Sequence, residues 1–284
     1  MAENIWQPRS FLRYVRTVAS SSRTALIQTD AGAAYLKAIN NPEGPHVLAC
    51  DWFGTQLARR FGLRTFDVSV LEIGDLDEIP LNGSLAQQGT AFVSRAEEGV
   101  TMGGQRALSN VENISDIPRL VVFDTWVRNC DRHAPNWKPD GEPRINLDNL
   151  FLSTEGAPEG KFILKAIDHG HIFTCGKPLT PSLSHIENTQ DERLYGLFPF
   201  FLGYVTDYEI TQAAEALRDM RSELWADLLR SIPVAWEVSQ EAKQAIDRFL
   251  LERARYLADN FPKVTPSMPE QGTLNFDNMD GGQQ

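Results

Sequence analysis

Apolar residues along this chain recur first at the short spacing of strands and later at the three- and four-residue spacing of helices. Residues 24–29 and 34–39 are short, mainly apolar runs on either side of Asp30-Ala31-Gly32. Those three residues suit a tight turn, so a β-hairpin is predicted. Over residues 47–61 the period changes: Val47, Asp51, Gly54, Ala58 and Phe61 share one helical face, Arg59 and Arg60 sit in the last turn, and Gly62 closes it. Residues 66–70 alternate like a half-buried strand, and residues 90–94 read as another that runs into Arg95-Ala96-Glu97-Glu98.

Further on, Asp116-Ile117-Pro118 is a helix start followed by Leu120, Val121, Phe123 and Val127. Residues 150–152 and 162–167 are short apolar runs of strand type, separated from the preceding helix by the turn-rich residues 137–143. Residues 241–257 keep Ala245, Ile246, Phe249, Leu250, Tyr256 and Leu257 in helical period, and Leu224-Trp225 with Leu228-Leu229 does likewise. Residues 265–284, rich in Pro, Gly, Asn, Asp and Gln, are expected to be a disordered tail.

A length of 284 residues fits one large domain or two small lobes, and an apolar share of 42% is enough for a sizeable core. The net charge of −11 opposes general attraction to nucleic acid or an anionic membrane. No apolar run approaches bilayer length, and residues 1–6 lack the basic start and apolar core of a signal peptide, so a cytoplasmic protein is expected. Cys50, Cys130 and Cys175 are odd in number and widely spaced, which fits neither a zinc site nor a disulfide framework; reduced thiols are expected, with Cys130 a small buried residue.

The candidate chemistry lies in Asp131-Arg132-His133-Ala134-Pro135-Asn136 and, after the strand-like residues 162–167, Asp168-His169-Gly170. Phosphoryl transfer from ATP uses a carboxylate at the attacking hydroxyl, and an Asn and a second carboxylate on magnesium; the order and the five-residue step from Asp131 to Asn136 match protein-kinase spacing. Gly170 is expected to permit a backbone bend beside Asp168. Asn149 directly precedes the strand at residue 150, where kinases place their metal-binding Asn, so spacing and strand adjacency point to different residues; spacing favours Asn136. Lys37, inside the second hairpin strand, suits the α and β phosphates, with Asp51 as its counter-charge on the inward helix face. The residues after the strand at 90–94 would meet adenine near Ser94 and Ala96. Ser20, Ser21, Ser22 and Arg23 stand where a phosphate loop or a plain exposed linker would precede the hairpin. His133, His169 and His171 with the two aspartates also compose the donor set of a metal-dependent hydrolase.

Asp131-Arg132-His133 with Asn136, and Asp168-His169-Gly170-His171, resemble the phosphoinositide lipid kinases. Ser20-Ser21-Ser22-Arg23, Asp30-Ala31-Gly32, Tyr35-Leu36-Lys37, Asn41-Pro42-Glu43-Gly44-Pro45 and residues 57–63 are more similar to the bacterial HipA-like kinases, particularly short single-chain members. That resemblance implies an α+β, two-lobed protein-kinase-like fold, with a β-rich nucleotide-binding N-lobe over residues 1–96 and a helical catalytic C-lobe over 97–262, before the tail at 263–284. It implies ATP and Mg2+ as cofactors and a hydroxyl-bearing acceptor, a protein Ser/Thr. It also brings a possible antitoxin-type protein partner and autophosphorylation of a serine among Ser20, Ser21 and Ser22. In this reading Asp131 acts on the acceptor, Asn136 and Asp168 hold the metal, and Arg132 or His133 touches the γ-phosphate or braces the loop. A pseudokinase and a nucleotidyl transferase are the alternatives on the same fold.

Overall fold

The structure, a computed structural model, describes residues 6–102, 108–134 and 144–264. The predicted hairpin is present as β2 (Ala25–Thr29) and β3 (Gly32–Lys37), preceded by an edge strand β1 (Phe11–Thr17) that sequence reading did not anticipate. The reason is local: β1 is irregular in register against β2 and leaves Leu12 and Val15 exposed, so its apolar residues carry no clean alternation. The chain then forms α1 (Val47–Arg60), β4 (Val68–Ile73), a small hairpin of β5 (Pro80–Leu81) and β6 (Ser84–Leu85), and β7 (Gly89–Arg95). The five-stranded antiparallel sheet has the order β1-β2-β3-β7-β4.

β8 (Gly99–Thr101) leads out of this sheet and α2 (Ile117–Val127) into the second half. There follow the paired β9 (His133–Ala134) and β10 (Arg144–Ile145), then β11 (Leu150–Ser153) and β12 (Ile163–Ala166), with β11 between β12 and β8. The remainder is helical: α3 (Ile186–Thr189), α4 (Asp207–Ala214), α5 (Ala226–Ser231) and α6 (Gln240–Asn260), with short 3-10 segments in the connections. No helix among the described residues is long and apolar enough to cross a membrane. The tail expected over 263–284 falls outside the described residues beyond Val264.

Two apolar clusters carry the fold. The smaller covers one face of the sheet with Ile27, Leu36, Leu71 and Val93; the larger joins α1 to α2 and α6 through Phe53, Phe61, Trp126 and Phe249. α1 therefore belongs energetically with the helical half although it follows β3 in the chain, and it bridges sheet and helices directly behind Lys37. Its face predicted from Val47, Asp51, Gly54, Ala58 and Phe61 is buried, and so are Leu48, Cys50, Phe53 and Leu57 off that face, so that only Arg59 and Arg60 at its end are exposed.

α2 is apolar almost all round and lies inside the larger core, with the Trp126 indole donating to the Leu250 carbonyl of α6 (2.9 Å). It ends at Arg128, held in the left-handed region (φ 53°). The Arg128 guanidinium meets Asp191 at 3.0 Å, and Asp191 also accepts from Arg193 and the Tyr195 hydroxyl. Burial pushes the Asp191 carboxyl up, but these donors outweigh it and hold it at about 2. This network anchors the turn from which residues 129–134 depart.

The cysteine expectation needs correction. Cys130 is paired in a disulfide with Cys175, Cα–Cα 5.4 Å, while Cys50 is free and buried. A pairing across 45 residues leaves no mark in local spacing; only the return of the chain past the end of α2 brings the two together.

Asp191→Ala should lower the unfolding free energy in urea by about 3 kcal/mol, because it strands the nearly buried Arg128 charge without its carboxylate. A loss below about 1 kcal/mol would show that the Arg128–Asp191 pair contributes no more than an exposed ion pair.

Candidate active site

β3, α1, the turn after α2, the start of β11 and the end of β12 converge on one cleft of about 720 Å³, within the about 300–1,000 Å³ usual for small-molecule sites. Lys37, the last residue of β3, points its ammonium between two carboxylates: Asp51 of α1 at 2.8 Å and Asp168 at 2.8 Å. Burial alone would push the Lys37 pKa down, but Asp168 and Asp51 more than reverse this, so the ammonium stays charged. The same contact draws the Asp168 carboxyl below the usual carboxylate range against the opposing effect of its burial. The second Asp51 oxygen accepts the backbone N–H of His169 (2.9 Å), so one α1 side chain holds both Lys37 and the segment that carries Asp168.

The bend expected at Gly170 is elsewhere. Asp168 itself is left-handed (φ 55°), whereas Gly170 is needed for close approach, since a Cβ there would stand 3.2 Å from Val47 Cγ1. Gly54 serves the same end from α1: a Cβ on it would lie 2.6 Å from the His169 Cβ. A carboxylate aimed at Lys37 fixes the backbone of Asp168, and the small residues let α1 come close enough to do it.

Asp131 lines the same cleft and accepts from the Asn149 amide at 2.9 Å and the Asn146 amide at 3.2 Å. Asn149 is buried directly before β11, and its carbonyl receives the Ile167 N–H (3.2 Å), one residue before Asp168. Asn136 lies outside the described residues. Arg132 is fully buried and turned inward: it donates to Asp124, to the Asn149 carbonyl (3.3 Å) and to the Ile167 carbonyl (2.9 Å). Of its two expected roles, bracing the loop is the one its placement serves. His133 packs against the Phe198 ring (5.6 Å) and is not among the residues lining the cleft.

Ser20, Ser21 and Ser22 edge the cleft between β1 and β2. Ser22 is buried against Thr24 (3.0 Å), and Asn41 ties its carbonyl to the following loop (3.0 Å), while Ser21 is exposed. Arg23 reaches instead toward Ser84 (3.4 Å) and stays off the cleft wall. Ser94 lines the apolar side together with Phe66, Phe92 and Phe151; the amide of Ala96 is donated to Ala33 (2.9 Å), and Ala96 does not line the cleft.

Three residues gained no role from sequence spacing yet organise the site. Glu97 is a buried carboxylate held by Lys165 (2.6 Å) and Ser153 (2.7 Å), which fixes the link between β7 and β8. Asn146 joins Asn149 on Asp131. Glu43, from the loop after β3, stands 3.5 Å from His171, and this carboxylate raises the His171 pKa. Only the Asn-Pro-Glu-Gly-Pro run that contains Glu43 could have signalled any of them.

A family model described as HipA-like kinase matches residues 16–261. The chain belongs to that family. Its fold is similar to a solved structure of the Helicobacter pylori proinflammatory kinase CtkA, with a TM-score of 0.56 at 11% identity, over 88% of this chain and 95% of that one. No curated protein matches the sequence. The chain is thus a kinase with the α+β kinase-like fold, and the metal-hydrolase reading falls away with this membership.

His169 of this HipA-like kinase is buried, and burial, with the Arg132 charge adding to it, holds its pKa well below the ordinary value. Because Arg132 can only donate, Nε2 of His169 accepts (3.5 Å) and Nδ1 carries the hydrogen toward Thr55 Oγ1 (3.0 Å). A depressed folded-state pKa means that the unfolded chain binds the proton first, so stability is present above the ordinary pKa near 6.5 and lost as pH falls below it. Between pH 7.5 and 5.5 this group should remove about 1.4 kcal/mol of unfolding free energy, and His169→Gln should flatten the urea-midpoint profile by that amount. Equal slopes for the two proteins would refute the buried neutral imidazole.

Proposed function

We propose that this HipA-like kinase transfers the γ-phosphate of ATP, with magnesium, to the hydroxyl of a protein Ser or Thr. The observation that carries the reading is the Lys37 ammonium held between Asp51 and Asp168 while Asp131 faces the same cleft. Three carboxylates and one ammonium on the walls of one cleft leave an excess of negative charge, which suits a divalent cation carrying phosphates.

Asp168 and the amide oxygen of Asn149 are hard oxygen donors fitted to magnesium, which commonly takes one or two protein ligands and completes its shell with phosphate and water. When bound, the metal would neutralise charge developing on the transferred phosphoryl group. Asn149 is favoured here over Asn136 because it is buried, lines the cleft and hydrogen-bonds Asp131. Lys37 steadies the α and β phosphates, and Asp51 keeps it charged and aimed. Asp131, held by two amides, orients the acceptor hydroxyl and takes its proton as the oxygen attacks phosphorus. The apolar wall at Phe66, Phe92 and Phe151 receives the base, with Ser94 at its edge. Ser21, exposed at the rim, is the serine of its loop best placed to be phosphorylated by the enzyme itself. An antitoxin-type partner rests on kinship alone.

Incubation with γ-labelled ATP and magnesium should label a protein acceptor, and Asp131→Ala should reduce the rate by about 10²–10⁴-fold while leaving the folded far-UV signal intact. Asp168→Ala and Asn149→Ala should both raise the magnesium concentration needed for half-maximal rate, whereas Asn136→Ala should not. Transfer of α-label in place of γ-label would replace the reading with nucleotidyl transfer, and undiminished labelling by Asp131→Ala would end it.

A further inference from the structure

Asp131, Asn149, Asp168 and His171 all lie between Cys130 and Cys175 in the chain, so the disulfide closes a single covalent loop around the helical half's share of the phosphoryl site. Arg132 ties the same two segments on the inner side, through the Ile167 carbonyl (2.9 Å), and backbone hydrogen bonds cross the junction on the side of the cross-link. Cys130 N–H reaches the His171 carbonyl only at 3.5 Å, and Phe173 N–H meets the Val127 carbonyl at 2.8 Å. The returning segment is left-handed at Asp168, Phe173 and Cys175 (φ 55°, 67° and 56°), a conformation that non-glycine residues keep only where the surroundings impose it. Gly176 packs so closely that a Cβ on it would stand 2.9 Å from the Glu43 carbonyl and 3.1 Å from His171 Cε1. The cross-link therefore sits where the catalytic loop, the Asp168 segment and the Glu43 loop meet.

We propose that the Cys130–Cys175 pair is a redox-responsive brace: closed, it holds the Asp168 segment against the catalytic loop in the arrangement for phosphoryl transfer; open, it releases that segment and slows the enzyme. Cys130 is buried and Cys175 half-exposed, so exchange enters at Cys175. Its thiolate attacks a small disulfide of the glutathione type, breaking that S–S bond and expelling one thiolate, which takes up a proton. The Cys130 thiol then loses its proton and attacks the Cys175 sulfur, expelling the second small thiol; two protein thiols are oxidised as one disulfide is reduced to two thiols. A small thiol in excess runs the same steps backward. Cys50 is an internal control, since it is buried in the larger core, where burial pushes its thiol up to about 12.

The rate effect rests on the kinase reading above; the link itself does not. The full chain is equilibrated in buffers from all-reduced to mostly oxidised glutathione, then read by intact mass, melting temperature and γ-phosphate transfer. We expect a reversible loss of two hydrogens, a rise in melting temperature of roughly 5 °C or more in the linked form, and several-fold faster transfer by that form. Cys175→Ser and Cys130→Ser should each match the reduced wild type in every buffer, and Cys50→Ser should titrate like the wild type. Three free thiols in every buffer, the same rate response in Cys175→Ser, or measurable transfer that proceeds no faster in the linked form than in the open one would overturn the proposal. Absence of transfer in both forms, with the mass and melting shifts intact, counts against the catalytic reading and supports the brace.

Discussion

The Lys37 ammonium between Asp51 and Asp168 is the contact on which the rest of the site depends. Taking these charges out of water costs several kcal/mol per ion, and the loss is offset only when every partner is in place. The contact thus requires that the end of β3, the middle of α1 and the turn after β12 meet at one point. Asp51 extends the requirement by holding the His169 N–H, and Gly54 and Gly170 remove the side-chain bulk that would keep α1 away. Lys37 is in this way the tie between sheet and helices.

Behind the cleft, Arg132 does for the loops what Lys37 does for the lobes. It is fully buried, with Asp124 as its carboxylate partner and the carbonyls of Asn149 and Ile167 as its other acceptors. Its five donors in a rigid fork hold two backbone carbonyls and one carboxylate at once, which a lysine could not. Asp131 and Asp168, 37 positions apart in the sequence, therefore face one cleft because the residue next to the first is bonded to the residue before the second. The Cys130–Cys175 pair ties the same two segments on the other flank. Positioning of this kind supplies much of the acceleration in phosphoryl transfer, where the protein contributes little covalent chemistry.

Elements with a strong local signal were readable from residues alone. The turn Asp30-Ala31-Gly32 placed β2 and β3, and the helical period placed the buried face of α1 and the span of α6. β1 was missed because an edge strand with bulges and exposed apolar residues has no consistent alternation, and β8 because three residues carry no period at all. Within the site, the fold places Lys37, Asp51, Asp131 and Asp168 together, since each was marked by a charged residue in an apolar setting or by fixed spacing. Arg23, Ala96 and His133 are carried by the fold away from the cleft wall, toward Ser84, Ala33 and Phe198.

The sequence by itself determined the chemistry: which side chains are available for phosphoryl transfer, in what order, and on which local elements, because residue type and period are properties of neighbours along the chain. The tertiary structure alone decided that Asn149 and Asn146 stand on Asp131, that Arg132 faces inward, that Asp168 and not Gly170 takes the left-handed bend, and that Cys130 meets Cys175. Each of these is a contact between segments distant in sequence. Such contacts are set by how α1, α2 and the β11–β12 hairpin pack around shared charges, and local spacing carries no record of that.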